Sequence, residues 1–193
     1  MRLVMHLPLA LTAMRALLAP FMVLLAIAWP NEMMFGIFLL AGLLSDVFDG
    51  VIARRLRIAT PALRRLDSIA DSMFYLCAMF AAWHLHESQV SEYLVPLAVL
   101  LTLELVRYVF DYAKFGREAS YHMWSSKAWG LALFVCFLSL LSFGEGGWPI
   151  ALAIYLGIAA DLEGLAISVT LKKWRTDVPS LFHAIQLRRS EAH

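Results

Sequence analysis

Four aspartates carry the most chemically suggestive pattern in this chain. Asp46 and Asp49 stand three positions apart, and Asp67 and Asp71 stand four apart. On a helix, either spacing brings both carboxylates to one face. All four lie in or beside strongly apolar stretches. There, a single aspartate at the centre of a membrane span costs about 2.5–3.5 kcal/mol on insertion scales, and four together also repel one another. A divalent cation removes the conflict, because carboxylate oxygens suit Mg²⁺ or Mn²⁺. Four carboxylates can accommodate two ions, and two ions form a clamp for phosphoryl chemistry. Gly50 follows Asp49 directly, one turn beyond Asp46, so a bulky ligand can approach the helix backbone there. Ala53 keeps the next turn open, and Arg54 adds a fork of donors suited to a phosphate. One helix face therefore offers carboxylates, a small surface and a guanidinium, a mould for metal, nucleotide and pyrophosphate. The bland alternative is a set of salt bridges from the aspartates to Arg54, Arg64 and Arg65. Two acidic pairs on successive helices with Gly50 beside them favour the ligand site.

The elements that must position these groups are membrane helices. Of the 193 residues, 61% are hydrophobic, against about 45–50% in soluble domains, and the mean hydropathy is +0.71. A span needs about 20 mostly apolar residues. Six stretches qualify: Leu9–Trp29, Met33–Ala53, Leu66–Trp83, Tyr93–Tyr112, Trp124–Phe143 and Trp148–Leu171. Lipid offers no partner to an open backbone, so each is expected to be helical. The expectation is an all-α polytopic protein of six transmembrane helices, one domain over residues 1–193, with short interfacial or cytoplasmic helices at its termini. Turn chemistry separates the spans at Pro30-Asn31-Glu32, His86-Glu87-Ser88 and Gly144-Glu145-Gly146-Gly147. The second and third spans are joined by a short basic loop, so both acidic pairs lie near the same membrane face. Cys77 and Cys136 read as small buried hydrophobes.

The basic residues give the orientation. Arg54, Arg55, Arg57, Arg64 and Arg65 cluster between spans two and three. Arg107, Lys114, Arg117 and Lys127 surround the turn between spans four and five, and Lys172, Lys173, Arg175, Arg188 and Arg189 lie in the tail. The opposite loops carry Glu32, Glu87, Glu92 and Glu145. The positive-inside rule puts both termini and the aspartates on the cytoplasmic side. In the 172–193 tail, Val178, Leu181, Phe182, Ile185 and Leu187 are spaced like one helix face, with Pro179 near its start.

Asp46-Val-Phe-Asp49-Gly50-Val-Ile-Ala53-Arg54, followed by Asp67-Ser-Ile-Ala-Asp71, resembles the signature of the CDP-alcohol phosphotransferases, D-x2-D-G-x2-A-R, eight residues, G-x3-D-x3-D. Leu63 stands where the second glycine is usual. Leu7-Pro8-Leu9-Ala10-Leu11-Thr12-Ala13-Met14-Arg15 is similar to the family's opening P-N-x-L-T-x2-R, with Leu9 in place of Asn. The resemblance implies an integral-membrane enzyme of phospholipid synthesis in a bacterial cytoplasmic-type membrane, working as a homodimer. It would move a phosphatidyl group from CDP-diacylglycerol to an alcohol and release CMP. It also implies two Mg²⁺ or Mn²⁺ ions on Asp46, Asp49, Asp67 and Asp71, with Asp71 as general base. Gly50, Ala53 and Arg54 would hold the CDP moiety.

The second half is less legible. Arg107, Arg117 and Lys127 could form a basic pocket for a phosphorylated acceptor such as glycerol 3-phosphate; Glu104 and Arg107, three apart, could instead simply pair. Phosphatidylglycerophosphate synthases of the family carry G-K-x-K-T in this region, and here Ser125-Ser126-Lys127-Ala128-Trp129-Gly130 keeps one lysine. Tyr121 and His122 read as interfacial. Asp161 and Glu163 bond across helices, line a groove or meet a second copy.

Two other function classes compete. A divalent-cation transporter or channel would also place acidic residues in a membrane, but along its depth; these aspartates gather near one face beside Arg54. A catalytically silent family member is opposed by the complete aspartate set. Nothing in the chain points to nucleic acid. The paired acidic faces predict that activity requires Mg²⁺ or Mn²⁺, and that Asp46→Asn or Asp67→Asn abolishes it while the protein stays folded. Full turnover in excess chelator would contradict this.

Overall fold

The computed structural model of the protein describes residues 7–56 and 61–190, and only the backbone for residues 53–56, 61, 62 and 64. Seven helices follow in chain order: α1 Leu7–Ala28, α2 Glu32–Leu56, α3 Pro61–Ser91, α4 Leu94–Phe115, α5 Trp124–Phe143, α6 Trp148–Thr170 and α7 Leu181–Ser190. Among the described residues, four helices are long and apolar enough to cross a membrane: α1, α2 over Glu32–Ile52, α5 and α6. The other two expected spans fall within α3 and α4, where Asp67, Asp71, Glu104, Arg107 and Asp111 dilute the apolar character.

The breaks follow local chemistry. Asn31 accepts the Met34 amide on its side-chain oxygen at 3.0 Å and so caps the start of α2. Gly144 and Gly147 take positive φ of 67° and 69° in the turn between α5 and α6, a conformation with little cost for glycine. The helix is interrupted at His86, as expected, by a kink with non-helical backbone (φ −132°, ψ 39°), beyond which α3 resumes to Ser91.

The chain forms two compact units. One comprises Met1–Val90 with Phe137–Glu145; the other comprises Ser91–Cys136 with Gly146–His193. In the first unit, the buried positions of α1 are Pro8, Thr12, Arg15, Ala19, Met22 and Ala26, at helical spacing. Leu17, Phe21 and Leu24 form its exposed stripe. The outward face is thus apolar and the inward face holds the charge, as lipid surroundings demand. Phe35 and Leu39 of α2, Phe74 and Ala78 of α3 and Leu140 of α5 complete this core. Tyr75 stacks on Phe137.

In the second unit, α6 packs against α4 and α7. The tail folds back as a small apolar cluster of Tyr121, Met123, Ile167, Leu171, Val178 and Ala184, flanked by Phe115, Leu181 and Leu187. Phe182 and Ile185, grouped by spacing with Val178, Leu181 and Leu187 on one face, are exposed instead, while Ala184 is buried in the cluster.

Small residues let the helices of this unit approach closely. A Cβ on Gly157 would lie 2.6 Å from Trp129 Nε1 and 2.8 Å from Leu100 Cδ1, whereas one on Gly130 would meet nothing within 4 Å. Gly157→Ala is therefore expected to destabilise the protein by about 1–3 kcal/mol. Gly130→Ala should be neutral or stabilising, by up to about 1 kcal/mol. Thermal unfolding in detergent compares them, and an unchanged melting temperature for Gly157→Ala would refute the close packing.

Candidate active site

Three helices of the first unit converge on one guanidinium. Arg15, on the buried face of α1, is 1% exposed and pairs with all four aspartates. Its Nη1 lies 3.0 Å from Asp46 Oδ1 and 2.5 Å from Asp71 Oδ1. Its Nη2 lies 2.8 Å from Asp49 Oδ2 and also pairs with Asp67 Oδ1. Thr12, three residues before Arg15, donates its hydroxyl to the Pro8 carbonyl at 3.1 Å, and the same hydroxyl lies 3.4 Å from Asp49 Oδ2. The helical spacings of Thr12 and Arg15, of Asp46 and Asp49, and of Asp67 and Asp71 turn each pair toward the same point.

The site is open on one side. Asp49 is buried, while the side chains of Asp46, Asp67 and Asp71 are 47%, 31% and 34% exposed. One guanidinium cannot neutralise four carboxylates, so formal negative charge remains, concentrated in a poorly solvated place. Asp46, Asp49 and Asp67 each offer a carboxylate oxygen, all within 4.8 Å of one another. Mg²⁺ holds its oxygens at about 2.0–2.1 Å, so ligand atoms on one ion stand about 2.9 Å (cis) or about 4.2 Å (trans) apart, separations of the same order as these. The donor set is all oxygen, and an arginine already stands in as a cation, so the residues fit a divalent metal.

Other sequence-predicted positions are less constrained. Gly50 is half-buried on α2 directly after Asp49. The side chains of Ala53, Arg54 and Arg64 fall outside the described residues. Arg65 is exposed, and the counter-ion role considered for these basic loop residues is filled by Arg15. Sequence reading missed that role. An arginine within an apolar span, in L-T-x2-R, was the available signal.

The family model for CDP-alcohol phosphatidyltransferases matches residues 5–163. The chain belongs to the CDP-alcohol phosphatidyltransferase family. No curated protein and no solved structure gives a significant match. Membership makes the chain a transferase of a phospholipid-synthesis family, whose members are divalent-metal dependent in general, with a CDP-alcohol donor and an alcohol acceptor. The matched stretch includes Arg15 and all four aspartates, and it ends at Glu163, before the tail.

In the second unit, the three basic residues expected to form an acceptor pocket each have a different partner. Arg107 Nε lies 3.4 Å from Asp161 Oδ1 across α4 and α6, so Asp161, rather than Glu104, is its partner among the described ion pairs. Arg117 stacks on Trp174 and Lys127 on Trp124, each 4.8 Å from the ring centroid. Both cations are otherwise exposed.

Asp161 pairs by charge with Arg107 across helices, and Glu163 hydrogen-bonds across helices. Glu163 accepts the Ser125 hydroxyl at 2.5 Å and the Leu181 amide at 3.1 Å, joining α5, α6 and the start of α7. Nearby, Ser168 donates to Asp111 Oδ1 at 2.5 Å. Its single proton is then committed, so the Tyr121 hydroxyl donates to Ser168 at 2.8 Å. Burial is the main cause that raises the Tyr121 phenol above its ordinary pKa. Lys114 caps the end of α6 through the Ser168 and Val169 carbonyls at 2.8 and 3.1 Å.

Asp161 is 1% exposed, and neither of its oxygens has a hydrogen-bond partner; Arg107 is its charge partner. Arg107→Ala should therefore destabilise the protein by about 3 kcal/mol or more by stranding that carboxylate. Asp161→Ala in the same chain should restore much of the loss. Denaturation of both variants in detergent measures this. A fully stable Arg107→Ala protein would free Arg107 from its structural duty and return it to the acceptor site.

Proposed function

We propose that this protein transfers the phosphatidyl group of CDP-diacylglycerol to an alcohol and releases CMP. The observation that carries the reading is the convergence of Asp46, Asp49, Asp67 and Asp71 on one partly open point, within the stretch that matches the family. The catalytic domain is taken as the whole chain with six spans, α3 and α4 supplying two of them. Both termini and the acidic site then face the cytoplasm of a bacterial cell, as the basic loops indicate. A homodimer is the assembly consistent with the family resemblance.

In this reading the four aspartates hold two Mg²⁺ or Mn²⁺ ions. Bound there, the ions would supply charge neutralisation for the diphosphate and for the departing CMP. Gly50 and Ala53 leave room for the CDP moiety against α2, and Arg54 donates to its phosphates. Asp71 is the general base. It accepts the proton of the acceptor hydroxyl as that oxygen bonds to the lipid-side phosphorus. The bond from this phosphorus to the bridging oxygen breaks, and the electron pair leaves on CMP. The protein's main contribution is orientation and charge placement, as in phosphoryl transfer generally.

For the acceptor we favour a phosphorylated polyol such as glycerol 3-phosphate. Arg117 and Lys127 support this as exposed cations flanking the turn between α4 and α5. Arg107 would act there only if its pair with Asp161 leaves donors free.

Asp71→Asn separates base from ligand. It keeps the side-chain shape but supplies no carboxylate to take the proton. CMP release should fall about 10²–10⁴-fold, with CDP-lipid still bound at saturating Mn²⁺. Asp49→Asn should weaken Mn²⁺-dependent CDP-lipid binding itself. Near-normal turnover by Asp71→Asn would remove the proposed base. A panel of alcohols assayed for CMP release tests the acceptor, and turnover of uncharged alcohols alone would exclude a phosphorylated one.

A further inference from the structure

Arg15 contributes more than burial and packing. It is the largest fully buried side chain in the described structure. It draws together one oxygen from each of four carboxylates on two other helices. A guanidinium in an apolar setting carries a heavy desolvation cost unless it is paired, and so do the carboxylates. Each side of this cluster is therefore the main compensation for the other. The geometry of the pairing differs from that of an ordinary salt bridge. Neither Nε nor Nη1 completes a well-directed hydrogen bond, although Nη1 lies between Asp46 and Asp71. Nη2 donates to Asp49 and Asp67, and the hold on Asp46 and Asp71 is chiefly one of charge.

We propose that Arg15 is the resident cation of the acidic site: it holds α1, α2 and α3 together before metal arrives, and it competes with divalent metal for the same carboxylates. The proposal rests on the metal-dependent reading above. Its physical basis is that a divalent ion among these oxygens brings positive charge next to a guanidinium a few ångströms away. The two cations repel strongly at low dielectric. Metal entry must therefore weaken the hold of Arg15 on the carboxylates, and Arg15 must lower the affinity of the site for metal. Arg15 is a positioning residue here, because it acts on the aspartates and no contact with substrate is assigned to it.

Thermodynamic linkage gives the sign. Removing Arg15 raises the free energy of the metal-free protein more than that of the metal-loaded protein, so metal must bind the variant more tightly and stabilise it more. The experiment uses the full chain in detergent, with Mn²⁺ as the probe, and does not read activity. Mn²⁺ binding is followed by calorimetry or by electron paramagnetic resonance. Thermal unfolding is recorded in excess chelator and in saturating Mn²⁺.

Arg15→Gln is expected to melt well below the wild type in chelator and to regain most of the difference in Mn²⁺. Its Mn²⁺ affinity is expected to rise about tenfold or more. Arg15→Lys keeps the charge and should stay close to the wild type in both respects. If Arg15→Gln cannot be purified without metal, it is prepared in Mn²⁺ and then chelated. Unfolding on chelation of that variant alone supports the proposal, and a fold that survives chelation as well as the wild type overturns it. Unchanged or weaker Mn²⁺ affinity in Arg15→Gln also overturns it. Failure of wild-type protein to bind Mn²⁺ would instead overturn the metal-dependent reading on which the proposal stands.

Discussion

The pairing of Arg15 with four carboxylates is the constraint on which the first unit depends. Each partner alone would be unwelcome in an apolar bundle. Together they oblige α1, α2 and α3 to meet at one height, with buried faces turned toward the charges and apolar faces turned outward. The apolar effect that drives soluble folding cannot select this register in lipid, where Leu17 and Phe21 are equally content on any outward face. Electrostatics and close packing select it instead. The site is then both the functional centre and a structural clamp, and single changes to the aspartates will lower the stability of a protein that still folds, as well as its chemistry.

Much of this could be read from sequence because helical spacing is a local property. Asp46 with Asp49, and Asp67 with Asp71, must share faces wherever their helices lie, and a short basic connection keeps those helices neighbours. The place of Arg15 was not accessible by the same route. Its approach to α2 and α3 depends on how α1 packs, and no spacing within α1 encodes that. The same limit applies to the basic residues of the second half. Arg107 could be assigned only to an acceptor phosphate or to Glu104, because its partner, Asp161, comes 54 residues later. Arg117 found the ring of Trp174, 57 residues later, whereas Lys127 stacks on Trp124, three residues before it on the same helix. In the tail, the helix was foreseen, but the residues grouped on one face divide: Leu181 and Leu187 pack on the apolar cluster, and Phe182 and Ile185 are exposed. The small Ala184 takes the inner position, and the bulkier Phe182 is left outside.

The second unit shows a different economy of polar groups. Ser168, Asp111 and Tyr121 form a chain in which every proton position follows from the one before. Lys114 closes the carbonyl end of α6. A helix end exposes unpaired carbonyls, and here a lysine from another helix satisfies two of them. Such groups would be isolated liabilities if met one at a time. Linked, they define where α4 and α6 stop relative to each other.

The position of Glu163 has a consequence for how the protein is made. It is the last residue of the family-matched stretch, yet its carboxylate is satisfied in part by the Leu181 amide, 18 residues further along the chain. During synthesis α6 therefore enters its surroundings before one of the donors to Glu163 exists. The second unit cannot finish assembling in step with translation, and its last closure waits until the ribosome has made the start of α7. A message cut short after α6 would still encode every matched residue, but its product would have a half-satisfied carboxylate near the end of that helix.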